Sequence, residues 1–438
     1  MLSAERNALI TRSGPGTRLG DLLRRYWQPA ALVEQLEGER PVTRVRLLGE
    51  VFVLFRDERG RYGLLDSHCA HRGADLCYGR AEDGGLRCPF HGWLYDVNGV
   101  CLDLPAEPAD SPLRGRRLQP AYPCVERNGI VFAYLGPGEP PALGDLDCFR
   151  APIGYTFAFK GLIACNWLQA LEVGIDPAHA SFLHRFFADE DPSGGYGKQF
   201  RASTLGSSTL GAAMPMSRIL REFPRPEIEV EDTAYGLRIA ALRQLTETEM
   251  HIRVTNLLFP QAFAIPMSPT MTITQWHVPV DDTHCYWYAI FTSFDAPVDR
   301  AEMRAQRIEL YQLPDYVPRK NQSNDYGFDP SEQKVSTYTG MGSDINVHDQ
   351  WAVESMGAIQ DRTREHLATT DKAIVRYRRM LLKAIENVAA GGAPAIVGGG
   401  SGPGSIDAIG PVAGWRAFWR EQDRRRRAAA AWPAMLAE

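Results

Sequence analysis

Between about residue 40 and residue 135, apolar and polar residues alternate over short stretches that turn-forming residues separate. This pattern is typical of half-buried β-strands. It occurs in the segments VTRVRLLG, VFVLFRD, YGLLDSH, GLRCPFHGWLYDVNGV and IVFAYLG. The sequence therefore predicts an all-β domain, which we place at residues 1–145 together with an N-terminal helical segment. The Pro/Gly-rich stretch 136–141 predicts the linker that precedes the boundary.

Residues 146–438 have a different pattern. The segments YGLRIAALRQ, MHIRVTNLLFP, TMTITQWHVPV and HCYWYAIFTSF predict an antiparallel sheet, and helices are predicted over 166–184 and 350–385. Within the later helix, apolar residues recur every three or four positions and predict a buried face: Ile374, Tyr377, Leu381 and Ala384. The second domain is therefore predicted to be α+β.

The C-terminal part begins with a low-complexity stretch, residues 389–405, which predicts a surface loop or a linker to a final amphipathic helix. That helix carries consecutive arginines at positions 424–427. Because the whole chain is acidic, we interpret them as a solvated helix face.

Size and composition narrow the functional class. With 438 residues, of which 44% are hydrophobic, the chain can bury two domain cores, so disordered and fibrous proteins are excluded. A net charge of -5 gives no general attraction to nucleic acid or anionic lipid, so we expect small molecules and other proteins as partners. No apolar run reaches about 18 residues and the charged N-terminus lacks a signal-peptide core, which predicts a soluble cytoplasmic protein. Eight cysteines are too few for a disulfide scaffold, so free thiols or metal ligands are expected.

Two Cys/His pairs form a candidate metal site. Cys69-Ala-His71 is followed, after sixteen residues, by Cys88-Pro-Phe-His91. Such pairs on two tight loops can bind tetrahedral zinc, or a [2Fe–2S] cluster in which two histidines replace two cysteines on one iron. The types of ligand alone leave both possibilities open.

The residues that flank these pairs carry a specific resemblance. C-x-H-R-G-A followed by C-P-F-H-G-W-x-Y-D resembles, across both loops, the Rieske signature of ring-hydroxylating oxygenases. The resemblance implies that the two pairs hold a Rieske [2Fe–2S] cluster. Gly73 and Gly92 are expected to permit the sharp turns and to offer their backbone N–H groups to the cluster sulfurs. His68, Cys77 and Cys101 lie off the pattern and are interpreted as packing residues, with Cys77 as the nearest rival ligand.

A second motif lies in NWLQALEVGIDPAHASFLH. Glu172, Asp176, His179 and His184 occupy the positions of the family pattern E-x3-D-x2-H-x4-H that precedes the catalytic iron. The resemblance implies that the two histidines bind a mononuclear Fe(II) with one carboxylate, which leaves positions open for O2. Residues five apart differ by about 140° around an ideal helix, so we predict a π-bulge, a kink or a helix end between the histidines. Without the first motif, two packed histidines and an N-cap before Pro177 would be the simpler interpretation.

The carboxylate ligand is expected in VHDQWAVESMGAIQDRTREHLATTD, where the family has an Asp five residues before a Glu. Asp349 and Glu354 have this spacing, so Asp349 is the predicted ligand and Asp361 the alternative. His348 is interpreted as structural. Val173 departs from the Asn that many relatives have after the Glu, which leaves the hydrogen bonding of that Glu open.

The resemblance covers nearly the whole chain, from GPGTRLGDLLRRYWQPA to ESMGAIQDRTREHL. It is strongest to the branch that contains phthalate dioxygenase and dehydrodivanillate O-demethylase. It implies a Rieske domain followed by a helix-grip catalytic domain, and a homotrimer or a hexamer of two stacked trimers. Electrons are expected to pass between subunits, from His91 or His71 of one chain to Asp176 and His179 of the next. A separate NAD(P)H-dependent flavin/iron–sulfur reductase is implied, because no nicotinamide-binding G-x-G-x-x-G motif follows a strand here.

The implied reaction is hydroxylation of an aromatic substrate, with aromatic carboxylates as the expected class, by cis-dihydroxylation or by oxidative O-demethylation. A carboxylate in an apolar pocket calls for a buried arginine, and Arg243 and Arg253 on predicted strands are the candidates. An outward-facing or structural role is the alternative for each. Two other classes stay open, namely an iron–sulfur electron-transfer or regulatory protein that uses only the first motif, and a zinc-binding interaction module.

Overall fold

The structure, a computed structural model, describes residues 2–189, 204–206, 213–396, 404–430 and 432. Its helices are α1 (Ala4–Thr11), α2 (Arg18–Leu23), α3 (Asp147–Arg150), α4 (Trp167–Gly174), α5 (Ala180–Leu183), α6 (Met216–Glu222), α7 (Arg300–Leu310), α8 (Glu332–Val335), α9 (Ile345–Glu354), α10 (Lys372–Ala389) and α11 (Trp415–Ala429). Within these described ranges, no helix is both long enough and apolar enough to cross a membrane.

The N-terminal part is built from short antiparallel strands, as predicted. They form three small sheets with the orders β2-β3-β4-β9, β5-β6-β7-β8 and β1-β11-β10. The strands are β1 (Gln28–Leu32), β2 (Val42–Leu47), β3 (Glu50–Arg56), β4 (Tyr62–Asp66), β5 (Arg80–Glu82), β6 (Gly85–Arg87), β7 (Leu94–Tyr95), β8 (Cys101–Asp103), β9 (Ala121–Tyr122), β10 (Cys124–Arg127) and β11 (Ile130–Ala133). A compact core, which includes Val53, Phe55 and Leu65, lies beneath the two predicted cluster loops and supports them.

The second part contains an eight-stranded antiparallel sheet with the order β12-β20-β19-β18-β17-β16-β15, and β23 pairs with β17. Its strands are β12 (Thr156–Ile163), β15 (Glu227–Thr233), β16 (Gly236–Gln244), β17 (Glu249–Leu258), β18 (Ala262–Ser268), β19 (Met271–Pro279), β20 (Cys285–Ser293) and β23 (Ile406–Pro411). Two short ladders, β13 (Thr204–Leu205) with β14 (Met214–Pro215) and β21 (Tyr311–Gln312) with β22 (Val317–Pro318), lie outside this sheet. The α+β prediction is confirmed.

Helix α10 packs on this sheet against β15 and β16. All four residues of its predicted apolar face are buried: Ile374, Tyr377, Leu381 and Ala384. Helices α1 and α2 confirm the predicted N-terminal helical segment and also pack against α10. The core formed there is continuous with β1 and β11, and the domain boundary near residue 145 stays a prediction.

The prediction of one continuous helix over 350–385 is wrong. Helix α9 ends at Glu354 and α10 begins at Lys372. Gly357, with φ of 90°, lies in the left-handed region that ends helices, and the chain after it runs back into the core. There Arg362 is completely buried. The break therefore brings a charged residue to the back of the predicted iron motif.

The C-terminal prediction is only partly correct. Residues 397–403 of the predicted linker lie outside the described residues. Strand β23 lies between the linker and the final helix, where a direct connection was expected. On that helix, Arg424 and Arg425 are exposed and pair with Glu421. Arg426 is buried against Asp423 and the ring of Phe294, so a fully solvated arginine face is wrong.

Candidate metal centres

Two loops of the same construction bring the predicted cluster ligands together. The N–H of Cys69 donates to the carbonyl of Ala74 at 2.8 Å, and the N–H of Cys88 donates to that of Trp93 at 2.8 Å. Each loop contains a glycine that turns the chain through the left-handed region, at φ of 79° for residue 73 and 77° for residue 92. The glycines therefore permit the sharp turns, as predicted.

The glycine N–H groups do not have the predicted acceptors. Gly73 donates to the carbonyl of Cys69 at 2.8 Å and Gly92 to that of Cys88 at 3.0 Å, so both amides close their own loops. The expectation that they bind cluster sulfurs is wrong. The backbone N–H groups of Phe90 and His91 are directed at the Cys88 sulfur instead.

The four side chains separate into an inner and an outer pair. Cys69 and Cys88 are buried, at 4% and 2% exposure. The rings of His71 and His91 lie further out, with centroids 4.5 Å apart, and His71 stacks on Trp93 at 4.4 Å. Two sulfurs on the inside and two imidazoles toward solvent fit a [2Fe–2S] cluster with unlike irons better than a single zinc ion with four equivalent positions.

The off-pattern cysteines have other partners. Cys77 donates to the carbonyl of Phe52 at 3.7 Å and Cys101 to that of Asp103 at 3.7 Å. Burial raises the pKa of Cys77 to about 12, which disfavours the thiolate needed for ligation. His68 is exposed and its Nδ1 lies 3.1 Å from the carbonyl of Gly73.

Tyr95, which was not among the predicted site residues, also contacts this site. Its hydroxyl lies 3.2 Å from the sulfur of Cys69. Burial next to this cysteine raises the pKa of Tyr95, so the phenol keeps its proton and can donate. The tyrosine of the W-x-Y-D segment was the signal that could have identified it.

The predicted iron motif contains the helix end that its spacing required. Helix α4 ends at Gly174, and the short helix α5 begins after His179 and ends before His184. His184 has φ of -105° and ψ of 26°, outside the α-helical region. The centroids of the two imidazoles consequently lie 5.1 Å apart. The predicted distortion between the histidines is confirmed as a helix end.

Helix α9 brings a carboxylate to these imidazoles. Oδ1 of Asp349 lies 3.2 Å from Nε2 of His184 and 3.8 Å from Nε2 of His179. One ligand atom from each residue lies within 4.8 Å of the others. Oδ1 of Asp349 is buried and accepts no hydrogen bond from the described part of the chain. A carboxylate oxygen without a hydrogen-bond donor, facing two imidazole nitrogens, fits a divalent metal site of the 2-His-1-carboxylate type.

Asp361, the alternative ligand, lies at the surface, where its side chain accepts from the backbone N–H of Thr363.

The protonation states suit ligation. Burial, followed by the adjacent ring of His184, lowers the pKa of His179 and keeps it neutral at pH 7. For Asp349, burial opposes ionisation, but the neighbouring imidazoles outweigh it and hold the pKa below its ordinary value. Nδ1 of His179 donates to the backbone carbonyl of Asp176, which leaves Nε2 as the free ligand atom. Asp176 also caps the turn, since its Oδ1 accepts from the N–H of Ala178 at 2.9 Å.

Glu172 lies behind the motif in a buried ion cluster. Its carboxylate accepts from Arg362 at 3.0 Å and from Arg378 at 2.8 Å. Arg378 also contacts Glu365. Both arginines were missed because they lie on distant segments of the sequence. Val173 lines the neighbouring cavity and leaves the carboxylate to these arginines.

A cavity opens from the three donors along one face of the large sheet. Its wall is mostly apolar and aromatic, with contributions from Ala170, Val173, Leu220, Phe263, Ile265, Met267, Ile273, Trp287, Phe291 and Val353. Both predicted arginines line it. In the hairpin β16–β17, Arg243 pairs with His251 and Ala241 with Arg253, which places the two arginines on the same face.

The two arginines are bound differently. Arg253 donates to the carboxylate of Asp407 at 2.6 Å. Arg243 is 1% exposed, donates to the carbonyl of Phe223 at 3.0 Å and to the hydroxyl of Ser181 at 3.2 Å, and its Nη1 has no partner among the described residues. Burial and the nearby charge of Arg253 lower the pKa of Arg243 to about 10, so it stays cationic at neutral pH.

Comparison with known proteins finds family matches for both parts of the chain. A family model described as Rieske [2Fe-2S] domain matches residues 26–123, and one described as LigXa C-terminal domain like matches residues 155–432. The phthalate 4,5-dioxygenase oxygenase subunit of Pseudomonas putida is 34% identical over 97% of this chain and 95% of its own length. The 5,5'-dehydrodivanillate O-demethylase oxygenase subunit of Sphingobium sp. (strain NBRC 103272 / SYK-6) is 32% identical over 90% of this chain and 83% of its own. The crystal structure of dicamba monooxygenase shares the fold, with a TM-score of 0.55, 19% identity and coverage of 84% of this chain and 99% of that one.

Proposed function

The chain belongs to the Rieske non-heme iron oxygenases as an oxygenase subunit, and from this premise we propose that it hydroxylates an aromatic carboxylate held by Arg243. It carries a Rieske [2Fe–2S] cluster and a mononuclear non-heme iron. The observation that carries the substrate proposal is the buried guanidinium of Arg243, which lines the same cavity as Asp349 and has no carboxylate partner among the described residues.

We propose Cys69, His71, Cys88 and His91 as the cluster ligands, and His179, His184 and Asp349 as the iron ligands. When bound, the cluster supplies single electrons and the iron activates O2. The protein's own contribution is to hold the donors in place and to exclude water with the aromatic wall of the cavity.

The substrate's carboxylate would supply the anionic partner that Arg243 lacks within the described part of the chain. A buried cation without an anion is costly, and the unpartnered Nη1 of Arg243 can donate charge-assisted hydrogen bonds to a carboxylate. Arg253 already has Asp407, so Arg243 is the arginine available to an incoming anion. Two of the relatives are named for phthalate and for dehydrodivanillate, both of which are aromatic carboxylates.

For assembly, we propose a homotrimer or a pair of stacked trimers in which electrons cross between subunits. Large apolar side chains are exposed at both ends of this path: Tyr78 at 71% and Phe90 at 57% near the cluster loops, and Phe182 and Tyr338, each at 47%, near the iron motif. Two such surfaces on different subunits would bury each other. On this proposal, Asp176 lies between a cluster histidine of one chain and His179 of the next.

The remaining parts of the proposal concern the electron donor and the compartment. We propose a separate NAD(P)H-dependent flavin/iron–sulfur reductase as the donor. The eight cysteines, all within described residues, form no disulfide. Free thiols of this kind are common in a reducing compartment, which supports a cytoplasmic location.

The deciding experiment is product analysis with the iron-loaded enzyme, a matched reductase, NADH and 18O2. The panel pairs each aromatic acid, with and without a methoxyl group, with its amide. We expect product from an acid and little from its amide. Two labelled oxygens in a dihydrodiol identify cis-dihydroxylation, whereas a phenol with formaldehyde identifies O-demethylation. A cluster that is reduced while no member of the panel is oxygenated would overturn the proposal in favour of an electron-transfer protein. A His179→Ala protein that keeps full oxygenation would overturn the role of His179 as an iron ligand, and amides converted as well as acids would overturn the role of Arg243.

A further inference from the structure

His348, which precedes the proposed ligand Asp349 on helix α9, connects His184 to the backbone. It is fully buried. Its Nδ1 lies 3.5 Å from Nδ1 of His184, and its Nε2 lies 2.9 Å from the carbonyl oxygen of Gly342. The two rings lie 24° from parallel, with centroids 5.7 Å apart.

The direction of both hydrogen bonds follows from the carbonyl acceptor at one end of the pair. The carbonyl of Gly342 can only accept, so Nε2 of His348 carries the proton and donates. A neutral imidazole with its proton on Nε2 has an unprotonated Nδ1, which accepts. Nδ1 of His184 must then be the donor, because two acceptors facing each other would repel. His184 is left with a lone pair on Nε2, the atom that lies 3.2 Å from Asp349.

We propose that His348 is a positioning residue that fixes the tautomer and the ring orientation of His184 for metal binding. The inference rests on the proposed assignment of His184 as an iron ligand. It replaces the purely structural role expected from the sequence. Nδ1 of His179 donates instead to a backbone carbonyl, that of Asp176. The two histidines are therefore oriented by different kinds of hydrogen-bond acceptor. Metal-bound histidines commonly donate their other N–H to such a partner, and loss of that partner typically weakens metal binding about 10- to 100-fold.

Three substitutions separate this role from simple filling of space. In His348→Asn, the side-chain oxygen can take the place of Nδ1 and accept from His184. In His348→Gln, the amide nitrogen can take the place of Nε2 and donate to Gly342, but no acceptor faces His184. His348→Leu fills a similar volume and keeps neither hydrogen bond.

The test measures Co(II) affinity of the full chain by chelator competition, with the cluster followed separately by visible absorption. We expect the Leu and Gln variants to bind Co(II) about 10- to 100-fold more weakly, and the Asn variant to stay close to the parent. In the Co(II) form, a ligating His184 carries its proton on Nδ1 in every variant. NMR should therefore show an exchangeable, hyperfine-shifted N–H from His184 that exchanges slowly with solvent in the parent and in the Asn variant, and faster in the other two.

Two outcomes would overturn the proposal. One is parent-like affinity in both the Leu and the Gln variant, and the other is equal weakening in all three variants. If the Leu variant does not fold, the comparison of Asn with Gln alone decides. A His184→Ala variant serves as the reference, because unchanged Co(II) affinity there would show that the ligand assignment, and not the relay through His348, has failed.

Discussion

The hydroxyl of Tyr95 lies 3.2 Å from the sulfur of Cys69, within the core that supports the cluster loops. A phenol that donates to a ligand sulfur stabilises the reduced, more negative cluster more than the oxidised one. In a cluster bound through this sulfur, the electron affinity should therefore depend on a residue that does not bind iron.

Tyr95→Phe should lower the reduction potential of the cluster. A net hydrogen bond of about 1 kcal/mol corresponds to roughly 40 mV for one electron, so a decrease of that order is expected. Redox titration followed by circular dichroism measures it. Tyr78→Phe, which removes an exposed phenol from the same region, is the matched control and should leave the potential unchanged. Equal potentials for Tyr95→Phe and the parent would show that the contact has no effect on the cluster.

Glu172→Gln should destabilise the fold because it leaves Arg362 and Arg378 with less compensating charge in the core. Breaking a buried ion pair costs about 3–5 kcal/mol, and urea unfolding at pH 7 measures the loss. The matched control is Glu229→Gln, which removes a more exposed pair with Arg416 and should cost less than about 1 kcal/mol.

The stability difference between the parent and Glu172→Gln should also depend on pH. Burial alone would raise the pKa of Glu172, but its arginines outweigh this and lower it, so ionised Glu172 stabilises the fold above the unfolded pKa of about 4.3. That contribution is lost as the pH falls through the lower folded value. The difference in unfolding free energy between the parent and Glu172→Gln should therefore become smaller in acid. A difference that stays constant with pH would contradict the lowered pKa of Glu172.

Arg243→Gln should weaken the binding of an aromatic acid while sparing its amide. A hydrogen bond to a charged group contributes about 1.5–3 kcal/mol, which corresponds to about 10- to 100-fold in Kd. Calorimetry with the acid and its amide measures both. The matched control is Arg238→Gln on the same strand, five residues away and so on the opposite face, where it pairs with Glu231. Binding of the acid by the parent should also weaken as the pH rises through about 10, where Arg243 loses its proton.

Two inactive variants should complement each other if electrons cross between subunits. Cys88→Ser removes a proposed cluster ligand and His179→Ala a proposed iron ligand, so each alone should be inactive. In random mixed trimers, about a quarter of the interfaces join an intact cluster to an intact iron, and a similar share of activity should return. The control places both substitutions in one chain and mixes it with the parent. No recovery in co-assembled oligomers would mean that the path stays within one subunit.

The local part of the two sites could be read from the sequence. The proposed ligands Cys69 and His71 are two residues apart, and their flanking residues are specific. The helix end before His184 followed from spacing once the resemblance implied that both histidines bind one iron, because a fixed rotation per residue would then rule out a straight helix. These predictions depend only on neighbours along the chain.

Contacts between distant segments could not be predicted in the same way. Arg362 lies 190 residues from Glu172, and nothing in the composition of either segment indicates that they meet. Its inward position depends on Gly357, which turns the chain out of a helix that the apolar periodicity had predicted to continue. The side of the sheet on which Arg243 lies relative to Arg253 depends on the register of one hairpin. The sequence does not determine that register, because the geometry of the turn between the strands is not known from it.

The four-residue helix Ala180–Leu183 sets a limit on evolutionary change. Adding or deleting one residue there would rotate His184 by about 100° relative to His179 and would remove it from the site. Substitutions on the outer side of this helix can be tolerated, but changes of length cannot. Homologous chains that keep the reaction should therefore vary in length elsewhere, and a descendant with an insertion between the two histidines should have lost the iron while keeping the fold.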